Sequence, residues 1–317
     1  MRPTAAEASA DAPGFDEAAD APAEPVPHVG ISVSTFGRPA PRPAGPALSR
    51  PAENAPPAIP GLEDNVPLRQ ALAKLPAQPE GGDIVSIARQ LMQGHVFLRV
   101  RGDARSLLAA GESLPLATVT VGDKPFALVY SGGAALRDSI MADGDLGTSA
   151  MAQPVASVFR FVLAGQYGGI VIDPSSAPAR ALLPRELLQR IVDEAGDDAF
   201  ALKNLLSAPR TPETAGTVAN ALITEKLWVA VGRTDAGPGI AEARTAEGDR
   251  LVEVYSHPLE VIALGRGNDP APIAPAGLAN VLRTNPELSG VVVNPGGPWI
   301  RLSRDELAPL LALPPES

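Results

Sequence analysis

The chain contains no cysteine, which excludes a disulfide framework, thiolate metal ligation and a cysteine nucleophile. Histidine is nearly absent. His28, His95 and His257 lie far apart in the sequence and offer little to a zinc site or a histidine-based triad. Aromatic residues make up only 4%. No apolar run approaches the roughly 18 residues that a membrane-spanning helix needs, so no membrane insertion is expected. Basic charge is also short, with 26 Lys and Arg against 36 Asp and Glu and a net charge of −10. Binding to a phosphate backbone needs a basic face, so no nucleic-acid partner is expected. The opening residues are acidic and lack an apolar signal-peptide region, so the expected location is cytoplasmic.

What is present is uneven. At 317 residues the chain is long enough for about two domains. Its 35 Pro and 30 Gly coexist with 45% hydrophobic residues, too many for a wholly disordered chain. Residues 1–60 hold 13 Pro and 15 Ala and show no apolar period of 2 or 3.6. Repeated proline removes backbone donors and fixes φ, so this segment is expected to be a disordered tail. Within it, Val29-Gly30-Ile31-Ser32-Val33-Ser34-Thr35-Phe36 roughly alternates apolar and polar residues. Two interpretations stand: a linear motif that docks by strand addition, or a chance apolar cluster.

From about residue 66 the chain repeats itself, over 66–195 and again over 199–313. The period is domain-sized, as in a duplication rather than a solenoid. Leu68–Leu72 and Leu202–Leu206 open the copies. Segments 84–100 and 217–232 then share one hydropathy profile. Ile84, Ile87, Ala88 and Leu91 fall on one helical face, as do Val218, Ala219, Leu222 and Ile223. Val96–Val100 and Leu227–Val231 follow as strands. Segments 124–139 and 249–264 each carry a strand ending in Tyr-Ser.

The closing element is the most informative. Ile170-Val171-Ile172 and Val291-Val292-Val293 predict strands buried on both faces. They end in Asp173-Pro174 and Asn294-Pro295, where a turn former and Pro stop the ladder. Pro184 suits the first turn of a helix, and Ser303 with Glu306 has capping-box spacing. Each copy thus runs helix, strand, antiparallel hairpin, helix, strand, helix. The fold class is α+β, two tandem related domains, each a small mixed or antiparallel sheet with helices packed on it.

The closing G-hhh-x-P (h apolar) at Gly169 to Pro174 and Gly290 to Pro295, followed by a loop and a short helix, resembles the SseB N-terminal domain. So do the hairpin strands ending in Tyr130-Ser131 and Tyr255-Ser256. The likeness covers nearly all of both copies. It implies a bacterial cytoplasmic protein of the serine-sensitivity type, without an established enzymatic mechanism. The secretion-translocon group that shares the label would need membrane-insertive helices, which this sequence lacks.

Candidate chemistry is sparse. His95 aligns with Lys226 of the other copy, as expected of a solvated surface residue. Ser256 and His257 are sequence neighbours, which does not aim a nucleophile at a base. Asp173 aligns with Asn294, a pattern that keeps a turn and loses a charge. Glu186 and Glu306 sit where a negative charge favours a helix dipole. Gly237–Gly239 and Gly265–Pro270 are expected to be loops. Arg99, Arg101 and Arg105 are expected on a solvated strand face and its flank. No cofactor and no metal is expected.

The expectation is a non-enzymatic module that binds a protein partner or regulates one, with scaffold shared between the copies and no ionisable groups converging in a buried hollow. Its oligomeric state is left open. The alternative is a small-molecule sensor or hydrolase using the loops Asp173, Pro174, Ser175, Ser176 and Asn294, Pro295, Gly296, Gly297, of which the second, Gly-rich one could present backbone N–H groups to an anion.

Overall fold

The structure, a computed structural model, describes residues 64–112, 114–196, 198, 200–234 and 237–315, together with the backbone of Ser34–Thr35. The rest of the expected tail, residues 1–33 and 36–60, lies outside the described residues.

Two sheets organise the chain. After β1 (Ser34–Thr35), the first unit contains α1 (Val66–Leu72), α2 (Gly81–Leu91), β2 (His95–Arg101), α3 (Ala104–Ala109), β3 (Thr118–Val121), β4 (Lys124–Tyr130) and α4 (Gly133–Asp143). It closes with β5 (Thr148–Pro154), α5 (Val155–Ala164), β6 (Gly169–Ile172), β7 (Ala181–Pro184) and α6 (Arg185–Glu194). The second unit contains α7 (Ala201–Ser207), α8 (Thr214–Thr224), β8 (Leu227–Thr234), β9 (Gly237–Ile240), β10 (Glu242–Arg244), β11 (Arg250–Tyr255) and α9 (Pro258–Ile262). It closes with β12 (Asp269–Ile273), α10 (Pro275–Thr284), β13 (Leu288–Val293), β14 (Ile300–Ser303) and α11 (Ala308–Leu311).

The first sheet has the order β5-β2-β4-β6-β7, with β3 also on β4. The second places β12, β8, β11, β13 and β14 in the same sequence, with β10 on β11. In both, only the central pair among these, β4–β6 or β11–β13, is parallel. β4 pairs with β3 through its first residues and with β2 through its last two, and β11 divides in the same way between β10 and β8. The duplication expected from the sequence is therefore one topology built twice. The insertions differ: α3 follows β2, whereas β9 returns antiparallel on β8.

Helices pack on both faces of each sheet, the main core lying on one of them. In α5, Val155, Val158, Phe159 and Val162 recur at helical spacing and are all buried. They pack with Ile87, Leu91, Ile170 and Leu188 in the first core. Val218, Leu222, Leu278, Leu282, Val291 and Val293 build the second. On the opposite face, α4 buries Leu136 against Phe97 and Tyr130, and α9 sets Val261 beside Trp228 and Tyr255. Capping follows the sequence: Glu80 and Asp83 form a capping box at α2, and Ser303 and Glu306 bond reciprocally ahead of α11.

Three expectations need correction. Each unit has two further strands, β5 and β7 or β12 and β14, missing from the expected order. β5 (TSAMAQP) and β12 (DPAPI) lack a β-branched alternation and exist because β2 and β8 offer them a full ladder. Gly237–Gly239 is not a loop, since it pairs with Gly232–Thr234 as β9, and Asp269-Pro270 opens β12. Arg99 is not solvated. It is 3% exposed, and its guanidinium bonds the Asp143 carboxylate at 2.5 and 2.9 Å. This pair holds the Asp143 carboxyl down at about 2.

The shared glycine of the closing motif has a steric cause. Gly169 and Gly290 sit at φ +148° and +154°, and a Cβ on either would run into the carbonyl oxygen of Leu183 or Leu302 across the ladder. By contrast, Gly122 (φ +62°) faces open space. Gly290→Ala is expected to lower stability by at least about 2 kcal/mol, and Gly122→Ala by about 1 kcal/mol. Urea unfolding midpoints of the two variants check this.

Candidate functional site: the strand-end turns and the seam between the units

β4 and β6 run parallel and end side by side, as do β11 and β13. In open α/β sheets, ligands favour the carboxyl ends of such strands. Here each end is filled by the chain itself. Asp173 takes a left-handed φ of 49° and donates its N–H to the Val129 carbonyl at 3.0 Å. Its side chain accepts the Ser131 N–H at 2.8 Å and the Ser131 hydroxyl. Asn294, at φ 50°, donates its N–H to Val254 at 2.8 Å. Its Oδ1 accepts the Ser256 N–H at 2.9 Å, and its Nδ2 donates to the Ser256 hydroxyl at 2.8 Å. The Asp-to-Asn difference keeps the geometry and reverses only the part played by serine. Asn and Asp tolerate the left-handed conformation better than other side chains, which explains the residue choice.

These side chains point inward. Asp173 is 4% exposed and Asn294 fully buried. Burial pushes the Asp173 carboxyl up to about 6, with the Ser131 hydrogen bonds opposing. Of the remaining loop residues, Ser175 and Gly296 are exposed, while Pro174, Ser176, Pro295 and Gly297 are half-buried. The Ser176 and Gly297 amides close turns onto the Asp173 and Asn294 carbonyls at 3.0 and 2.7 Å. Those two N–H groups are thus already used within the loops.

The helices that follow start against the chain's own groups. The Gly133 N–H of α4 donates to Asp64 Oδ1 at 2.9 Å, and Asp64 is paired with Arg69. At α9 the cap is His257, whose Nδ1 accepts the Leu259 N–H at 3.1 Å. Nε2 therefore carries the proton and donates to the Ile191 carbonyl of the first unit at 3.0 Å. Burial pushes the His257 imidazole down to about 4. His95 and Lys226 are both exposed, as their alignment suggested; Glu186 is exposed in the first turn of α6, and Glu306 in the turn ahead of α11.

One convergence was not foreseen. Glu260 of α9, Lys203 of α7 and Arg89 of α2 meet where the units join. Arg89 Nε donates to Glu260 Oε2 at 2.6 Å, Lys203 Nζ bonds Glu260 Oε1, and a second Arg89 nitrogen donates to the Gly297 carbonyl. Glu260 and Lys203 are each 1% exposed. Burial pushes the Lys203 amine down, with the Glu260 carboxylate opposing. The expectation that ionisable groups of the two copies stay apart is thus overturned. The three residues are 57 or more positions apart in the chain, and the one available sign was a charge inside the apolar stretch Pro258–Ile262. Around them, Phe200 and Leu259 join the first unit's core. Phe200 meets Phe159 edge-on at 6.0 Å and His257 at 6.5 Å. Ser207 donates to Gln93 at 2.5 Å, and the Gly94 N–H to Asn204 at 3.0 Å.

Chemically, a buried carboxylate bonded to two cations is an ion cluster rather than a group presented to a substrate. No group of three or more His, Asp or Glu among the described residues could hold a metal ion. None of the described helices is long and apolar enough to cross a membrane. A half-open apolar cavity of about 270 Å³ does lie beside α3 and α5, lined by Leu98, Leu108, Leu116, Met151 and Phe161; the sequence did not point to it. In comparisons with known proteins, no family model, no curated protein and no solved structure matches the chain.

Replacing Glu260 by Gln leaves Arg89 and Lys203 without their counter-ion, and a loss of roughly 3–5 kcal/mol is expected. Arg301→Ala, which breaks an exposed pair with Asp249, is expected to cost under about 1 kcal/mol. Chemical denaturation distinguishes them. The pH dependence has two opposed parts. Asp173, raised to about 6, contributes stability that is complete below about 3.9 and lost as pH rises through 6. His257, lowered to about 4, contributes stability that is complete above about 6.5 and lost as pH falls through 4. Asp173→Asn, the residue its duplicate already uses, removes the first part. The variant is expected to be more stable than the parent above pH 6 by roughly 1–3 kcal/mol, and to lose stability more steeply on acidification from 6.5 to 4. Thermal unfolding across pH 4–8 checks both.

Proposed function

We propose that this chain is a non-enzymatic, SseB-like interaction or regulatory module in the bacterial cytoplasm. One observation carries the reading: the polar side chains at both strand ends and in the seam are bonded within the fold. Asp173 is held by Ser131, Asn294 by Ser256, and Glu260 by Arg89 and Lys203. A catalytic constellation needs polar groups aimed at a substrate, and these are aimed at one another. The family likeness rests on the repeated closing motif, and the bacterial, cytoplasmic setting rests on that likeness. Binding through surfaces outside the strand-end turns fits the same observation.

The sensor or hydrolase alternative used the loops at Asp173–Ser176 and Asn294–Gly297. The inward side chains and turn-bonded amides count against it.

Thermal-shift measurement of the full chain against amino acids and nucleotides is expected to give no displacement. A ligand at 100 times its dissociation constant would add about 2.7 kcal/mol, and a shift abolished by Asn294→Ala would reverse the assignment. Affinity purification at near-native salt, with and without residues 1–60, is expected to enrich a stoichiometric protein partner. A strictly monomeric chain that enriches nothing would refute the proposal.

A further inference from the structure

The Val29–Phe36 segment is not used by the proposal above, and its one described part is informative. Ser34–Thr35 pairs parallel with β10, Ser34 opposite Ala243 and Thr35 opposite Arg244. β10 is otherwise an edge strand, paired on its other side with β11. The Thr245 N–H turns inward to Asp249 on the β11 side. By the alternation of a strand, the Glu242 and Arg244 amides face the outer edge, where Ser34–Thr35 lies.

The duplication supplies an internal control. Val119↔Phe126 in β3–β4 corresponds to Ala243↔Leu251 in β10–β11. In the first unit all four residues of β3 are exposed, Val119 at 39%. In the second, Ala243, Leu251 and Val292 form an apolar cluster with no exposure. The same place in the same topology is open in one unit and covered in the other, and the covered one carries β1.

We infer that the β10 edge is a strand-acceptor site whose occupant is this chain's own segment around Ser34–Thr35, added in cis and in parallel. The segment suits the role chemically. Ile31-Ser32-Val33-Ser34-Thr35-Phe36 is uncharged, free of Pro and rich in β-branched residues, within a Pro-rich stretch that cannot pair. Backbone hydrogen bonds supply the attachment, as in other strand additions. An unpaired edge invites pairing with other chains, so the segment also shields the second sheet. The inference holds whether or not the chain has a protein partner.

The absence of cysteine makes the test clean. Thr35→Cys with Arg244→Cys places two thiols on paired positions, within the Cα separation a disulfide requires. Under mild oxidation the full chain is expected to form an intramolecular bond at least about tenfold faster than a control pair with Ala44→Cys in place of Thr35→Cys, because docking raises the effective concentration. Equal rates for the two pairs overturn the inference. A bond joining two chains overturns the cis assignment in favour of a second copy. As a second measurement, Ser34→Pro removes the one N–H of the Ser34–Thr35 pair that faces β10, because neighbouring residues of a strand donate to opposite sides. Hydrogen exchange at Arg244 is then expected to accelerate about tenfold or more, with β4 and β6 unchanged. A peptide of residues 29–38 is expected to restore protection in this variant. Unchanged exchange at β10, or acceleration that the peptide does not reverse, refutes the site.

Discussion

Glu260 is the charge around which the two units are placed. At 1% exposure its carboxylate has lost its water, a penalty of several kcal/mol that only close cations offset. One of those cations, Arg89, belongs to the first unit, and the other, Lys203, opens the second. A shift of either unit by a few ångströms would leave a buried ion without its counter-ion. Apolar contact alone tolerates sliding; this arrangement does not. Phe200 and Leu259 reinforce it by completing the first unit's core from the second. The two copies consequently share a boundary built from both ionic and apolar contacts.

Inside each unit the duplication has kept what backbone geometry demands. The left-handed residue after the central strand, the glycine that lets β7 or β14 approach, and the arginine that opens the closing turn all recur. Arg185 bonds the Val162, Gly165 and Tyr167 carbonyls at 2.9, 2.8 and 3.3 Å. Arg304 bonds Leu282 and Leu288 at 3.0 Å each. Each cation thereby satisfies carbonyls left over where α5 or α10 ends. Where the copies diverge, the change respects these limits: Asp173 becomes Asn294, keeping φ and the bond to serine.

The same economy bears on function. Buried polar groups must be bonded, and the strand ends where a ligand would be sought are bonded by Ser131 and Ser256. The proposed binding role then falls to edges and surfaces. The difference between the open β3 and the covered β10 is the clearest asymmetry between two otherwise matching sheets.

Much of the scaffold was legible without coordinates. Apolar periodicity marked α2, α8 and the central strands, the repeat marked two α+β units, and the Asp-to-Asn pairing marked a turn rather than a base. Local chemistry decides these features, since helix faces, caps and left-handed turns depend on residues within a few positions of each other. Strands β5 and β12 were not legible, because their pairing depends on ladders offered by β2 and β8, far away in the chain. Arg99 was taken for a surface charge and proved buried, because Asp143 reaches it from α4. The meeting of Arg89, Lys203 and Glu260 was invisible for the same reason. Burial and counter-ion are properties of a packed boundary, and no spacing along the chain records which helices will face each other across it.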